Sequence, residues 1–188
     1  MPFSTRDRLI EAGIDLLQEG GVEALTWRKT AARAQVSHTA PAYYFTALPQ
    51  LLTAIATRAF ERFSQGIEQA RDQAGDDPRA RLHGICRGYL DFAADQAGLF
   101  HVMFTEGAVD RADPDFNRAT QQSYLILREC CAPFTTPDNR EMLEFAIWTS
   151  VHGYAILRLD NPDAPKRRAI PDVPPFAALL DQTLSAFA

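Results

Sequence analysis

The sequence predicts an all-α protein. Apolar residues recur at helical spacing along nearly its whole length, no stretch alternates as a half-buried strand does, and glycine and proline gather between the periodic segments. The 188 residues are 46% hydrophobic and 23% charged, which suits one substantial domain, or a small domain joined to a larger one, and argues against disorder.

The elements follow in order. Ile10, Gly13, Ile14 and Leu17 share one helical face, so a first helix is predicted over Thr5 to Glu19. It is stopped by Gly20-Gly21, because glycine tolerates a left-handed C-cap. Thr26 suits an N-cap for a short helix from Trp27 to Ala34. After a turn at Gln35-Val36-Ser37, Ser37 caps a third helix from His38 to Phe45, with Pro41 in its first turn, where a missing N–H costs nothing. A fourth helix is predicted over Leu51 to Gln73, with Leu52, Ile55, Ala56, Ala59, Phe60 and Phe63 on one face. The break at Gly75 to Pro78 precedes a fifth helix, Arg79 to Ala97, ended near Gly98. A short apolar piece runs from Leu99 to Thr105. Asp113 caps a helix from Pro114 to about Cys131. Pro133 and Pro137 separate it from a helix over Asp138 to Leu159. The stretch from Asn161 to Pro175 holds five prolines and is predicted to be a loop, followed by a last helix from Phe176 to Phe187.

The net charge is −5, so any nucleic-acid site must be local. One candidate stands out. Thr26 to Leu48 contains Arg28, Lys29 and Arg33 and no acidic residue. Two short helices joined by a tight turn are what a major-groove reader needs, with the second helix presenting base-contacting side chains and the first gripping phosphates. His38, Thr39 and Tyr43 are the candidates for base contact. Thr26, Trp27, Arg28, Ser37 and Tyr44 are the candidates for phosphate contact, and backbone N–H groups at Trp27 would add to them. The structural alternative is that the aromatics are core, Thr26 and Ser37 are ordinary caps, and the basic residues are a solvated face.

Thr5 to Leu52 resembles the N-terminal domain of the TetR (tetracycline-repressor-like) family. The likeness rests on the first helix, Glu19-Gly20-Gly21-Val22-Glu23-Ala24-Leu25-Thr26, Ala31-Ala32-Arg33-Ala34-Gln35-Val36-Ser37, a third helix ending in Tyr44-Phe45, and Leu51-Leu52 opening the next. Trp148-Thr149-Ser150-Val151-His152-Gly153 resembles the Trp-His-Gly signature of a subclass, as does Ser37-His38-Thr39-Ala40-Pro41. Two departures bear on DNA affinity: Ala42 stands where the family usually has a tyrosine, and Leu48 where it usually has a lysine. The resemblance implies a three-helix DNA-binding domain with a helix-turn-helix over residues 1–48, and a helical-bundle ligand-binding and dimerisation domain over 49–188.

It also implies a cavity among the fifth to eighth helices. The expected lining is Cys86, Tyr89, Phe92, Phe100, His101, Met103, Phe104, Tyr124, Leu127, Trp148 and His152, a few polar groups among many apolar ones, as pockets require. An ordinary bundle core is the alternative. The eighth helix carries two apolar stripes, one with Leu143, Ile147 and Tyr154, the other with Phe145, Trp148, His152 and Ile156, and so needs cover on both sides. With the last helix it is expected to build a four-helix homodimer interface from Leu143, Ile147, Tyr154, Phe176, Leu180, Leu184 and Phe187. Such a dimer would hold a pseudo-palindromic double-stranded operator with readers about 34 Å apart. A small-molecule effector shifting the fifth to seventh helices and swinging the fourth would oppose DNA binding. The function expected is thus a repressor released by a small, mainly apolar ligand. The alternative is a helical ligand- or partner-binding module that has lost DNA binding.

Enzymatic function is not expected: there is no Gly-rich phosphate loop and no Gly-x-Ser-x-Gly elbow, so no catalytic residue, cofactor or metal is assigned. His83, His101 and His152 lack metal-ligand spacing. Cys86, Cys130 and Cys131 form no disulfide framework. The vicinal pair reads as small buried residues, with a redox or soft-metal role as the alternative. The polar N-terminus lacks a signal-peptide core and no apolar run approaches a membrane span, so the expected location is cytoplasmic, with no membrane partner. Lys166-Arg167-Arg168 reads as a solvated loop.

Overall fold

A computed structural model describes residues 4–105, 107, 109–157 and 173–187. Among them are nine α-helices and no strand: α1 (Thr5–Ala24), α2 (Trp27–Arg33), α3 (Ala40–Tyr44), α4 (Leu48–Gln73), α5 (Pro78–Asp95), α6 (Ala97–Phe104), α7 (Pro114–Cys131), α8 (Arg140–Ile156) and α9 (Phe176–Ala186). The chain divides into two compact units, residues 1–62 with 96–122, and residues 63–95 with 123–188. The Lys166 to Arg168 segment lies outside the described residues, as do Leu159 and most of the proline-rich stretch.

In the first unit, α1 begins on Ser4, whose hydroxyl accepts from the Asp7 amide at 3.1 Å. The periodic face supplies Leu9, Ile10, Ile14 and Leu17, all 1% exposed or less. Gly20 and Gly21 leave helical geometry, so the expected break is present, although one further turn follows to Ala24. Arg58 of α4 reaches Asp7 at 2.9 Å and Glu11 at 2.7 Å, Arg62 also meets Glu11, and these pairs fasten α4 to α1. The hydrogen bonds from Ser4 and from Arg58 hold the Asp7 carboxyl below the usual carboxylate range. Phe60 meets Phe104 and Phe116 edge-on, each at 5.6 Å between ring centres. Asp113 caps α7 as expected, accepting from the amides of Asp115 at 3.0 Å and Phe116 at 2.9 Å.

In the second unit, α8 packs against α5 and α9. Phe63 meets Tyr89 and Phe92, and Tyr154 meets Phe176 at 5.3 Å. Asp181 of α9 accepts from Arg79 at 2.8 Å and pairs with His83 at 2.7 Å, which ties α9 to α5.

Several expectations are corrected. The third helix starts at Ala40, not His38, and Ser37 does not cap it; its hydroxyl pairs with that of Thr39 at 3.2 Å. The fourth helix starts at Leu48, with Pro49 in its first turn, where proline loses no hydrogen bond. The fifth ends at Asp95, and Gly98 lies inside α6. Leu143, Ile147, Tyr154, Phe176, Leu180 and Leu184, expected at a dimer interface, are all buried within this one chain, and Phe187 is half-buried. The face of α8 left in the open is the other stripe, with Phe145 58% and Trp148 38% exposed.

Candidate functional site

The helix-turn-helix is built by α2, α3 and the turn between them, with α1 packed behind both. The Thr26 hydroxyl accepts from the Lys29 amide at 3.3 Å and so caps α2. The turn passes through Gln35, whose φ of 54° is a left-handed conformation that non-glycine residues adopt rarely. Arg8 of α1 stabilises it by donating to the Ala34 and Gln35 carbonyls, the second at 3.0 Å. Phe45 is 4% exposed and anchors the end of α3 in the core. On that scaffold Ser37, His38, Thr39, Tyr43 and Tyr44 are all exposed, Tyr43 to 85%. The tyrosines are therefore not core residues. Thr26 and Arg28 are exposed and Trp27 is half-buried.

The positive field is narrower than the acid-free stretch implies. Arg33 donates to both Glu19 carboxylate oxygens at 2.8 and 2.7 Å and lies 3.6 Å from Asp15. It therefore fastens α2 to α1, and Arg28 and Lys29 remain as the exposed cations of α2.

The expected pocket residues fall in both units. In the first, Phe100 and Met103 are buried, Phe104 is half-buried and His101 is exposed. In the second, Cys86 and Tyr89 are buried and Phe92, Leu127 and His152 half-buried, while Tyr124 and Trp148 are exposed and meet edge-on at 6.5 Å. His101, Tyr124 and Trp148 therefore do not line a closed interior. Tyr89 and His152 share a hydrogen bond of 2.7 Å, with the Tyr89 phenol on the His152 Nδ1. Burial pushes the Tyr89 phenol up and the His152 imidazolium down from its ordinary value. Between the folded value and the unfolded value of about 6.5 the unfolded chain binds more protons, so this pair's contribution is present above about pH 6.5 and is lost as pH falls below it. The melting temperature is expected to drop less between about pH 7.5 and 5.5 in His152→Asn than in the wild type, checked by thermal unfolding.

Glu144 was not anticipated. It sits on the inward stripe of α8 at 2% exposure. One oxygen accepts from the Tyr124 hydroxyl at 2.8 Å; the other has no hydrogen-bond partner, and Arg128 Nε lies 3.8 Å from it. Burial and this carboxylate push the Tyr124 phenol up to about 12. Tyr124→Phe is expected to cost about 1.5–3 kcal/mol, because a buried carboxylate loses the one hydrogen-bond donor it has among the described residues. Adding Glu144→Leu should recover most of the loss, which chemical denaturation of the single and double variants reads directly. The three cysteines are unbridged and buried, and burial favours the thiol over the thiolate, with Cys131 pushed up to about 12.

Residues 82–173 match the family model described as the tetracyclin repressor-like C-terminal domain. A Xanthobacter autotrophicus protein named as an HTH-type transcriptional regulator in the dhlA 5' region is 24% identical over 164 residues, 84% of this chain and 81% of that one. A solved structure from Rhodococcus sp. RHA1, of unknown function, is 25% identical and matches with a TM-score of 0.75 over 99% of this chain and 94% of that one. A TetR-family transcriptional regulator from Streptomyces coelicolor, 20% identical, matches with a TM-score of 0.68 over 98% of this chain and 100% of that one.

Residues 82–173 match the TetR-type C-terminal domain, and along most of its length the chain is similar to HTH-type transcriptional regulators. Within a TetR frame its departures have definite places: Ala42 is exposed on α3, and half-buried Leu48 is the first residue of α4. Sequence reasoning missed Arg8 and Glu144. A carboxylate between Leu143 and Ile147 on an apolar face was the available signal for Glu144. For Arg8 the signal was its place in the first turn of α1. Among the described residues no helix is long and apolar enough to cross a membrane.

Proposed function

We propose that the chain acts in the cytoplasm as a homodimeric repressor, with residues 1–48 reading a pseudo-palindromic operator and residues 49–188 dimerising and sensing a small, mainly apolar effector. The reading rests on one observation above all. Ser37, His38 and Thr39 stand exposed in the turn before a short helix that carries exposed Tyr43; Arg8 clamps that turn and Phe45 anchors the helix end. Side chains so placed suit base edges and phosphates, with Thr26, Trp27, Arg28 and Tyr44 beside them. The effector would meet Tyr89, Phe92 and His152 on α5 and α8. The partner chain would cover the outward stripe of α8.

Fluorescence anisotropy with duplexes from the region flanking its own gene tests the reading. A specific duplex should bind at least about a thousandfold more tightly than a scrambled one, and an apolar effector should weaken it. The engagement of Arg33 by Glu19 favours the other reading, a module without DNA binding. Affinity that does not change with salt would decide for that one.

A further inference from the structure

We propose that Arg6 is a phosphate-contacting residue of the DNA interface, supplied by α1 beside the end of the recognition helix. The proposal deepens the DNA-binding reading and rests on it. Among the described residues up to Arg62 there are seven basic side chains, and most are occupied. Arg58 and Arg62 pair with Asp7, Glu11 and Glu61. Arg33 is held by Glu19, and Arg8 by the Ala34 and Gln35 carbonyls. Arg28 and Lys29 remain on α2, and Arg6 on α1, exposed and with no ion pair among the described residues.

Arg6 is also positioned. Its guanidinium carbon lies over the Phe45 ring, 5.5 Å from the centroid. Phe45 is 4% exposed and directly follows exposed Tyr44, so a fixed ring holds the cation beside the C-terminal end of α3. The two side chains, Arg6 and Tyr44, line one open groove of about 760 Å³, with Gln50 of α4. Stacking uses the face of a guanidinium and leaves its N–H edge able to meet a phosphate in a bidentate pair. The same groove is also lined by Glu61, Asp110, Asp113 and Asp115, so a phosphate is favoured at the Arg6 edge and not among those carboxylates.

The test is the salt dependence of binding to a fluorescein-labelled, mixed-sequence duplex of roughly 30 base pairs, because phosphate contacts are sequence-independent. Arg6→Ala should weaken binding about tenfold or more at low salt and reduce the slope of log K against log salt by about 0.9 per Arg6, about 1.8 for a dimer that places both on the DNA. Arg6→Gln, which keeps the stem over Phe45, should behave like Arg6→Ala, and Arg6→Lys should keep the wild-type slope. All variants should melt with the wild type. If Arg28→Ala lowers the slope and the Arg6 variants do not, the Arg6 assignment is wrong while DNA binding stands. If the wild type itself shows no salt-dependent binding, both fall.

Discussion

Gly98→Ala is expected to lower the melting temperature by roughly 2–12 °C, a cost of about 1–3 kcal/mol. A Cβ at Gly98 would stand 2.8 Å from the Leu17 carbonyl oxygen, 3.2 Å from its carbon and 3.4 Å from the Gln18 Cα. All three are backbone atoms of α1, so no side chain can swing aside; one helix must move off the other. The same junction carries the hydrogen bond between the Gln18 and Gln96 side chains. α1 is the helix on which α2 and α3 are mounted, and α6 carries buried Phe100 and Met103. A widened junction therefore alters the footing of the reader as well as stability, and the variant should respond less to an effector in the anisotropy assay. Gly66→Ala is the control. Its Cβ would meet nothing within 4 Å, and the helix should gain slightly from losing a glycine. Equal melting of Gly98→Ala and the wild type would show that the junction yields freely.

Gly98 also shows where sequence reading ends. A glycine after a periodic run reads as a C-cap; at Gly20-Gly21 the helical geometry does break, with Gly21 at φ 65° and ψ −165°, although the element ends only at Ala24. At Gly98 the same residue serves a close approach to α1, about eighty positions away, and no local pattern carries that information. Local chemistry was legible elsewhere: the Thr26 cap, the Asp113 cap and the apolar stripes of α1 and α4 follow from hydroxyl placement and period. What failed was local competition or distant pairing. Ser37 gave its hydroxyl to Thr39 instead of the helix, and Arg33 found Glu19 on another helix. The two stripes of α8 are equally apolar in sequence. The inward one even contains Glu144, so composition does not tell which stripe the chain covers itself.

Phe145→Glu should convert the protein to a 20.9 kDa monomer and weaken operator binding by about a hundredfold or more, since two linked readers gain that much from effective concentration. The argument is one of cover. α9 spends Phe176, Leu180 and Leu184 on its own unit, so it offers a partner little of its apolar stripe. The outward face of α8 keeps Met142 65%, Phe145 58%, Trp148 38% and Ile156 54% exposed at helical spacing. A contiguous apolar patch of that kind is unfavourable in water and marks an interaction surface. A charge at its centre would be stranded in the dimer but solvated in the monomer, so the monomer's own melting should shift by no more than about 0.5 kcal/mol. Leu143→Ala on the inward stripe should do the opposite, costing about 2–5 kcal/mol of stability through a core cavity while leaving the monomer–dimer balance of the folded protein alone. Light scattering separates the two cases. A Phe145→Glu protein that stays dimeric would place the interface on another surface, and the outward aromatics of α8 would need another partner.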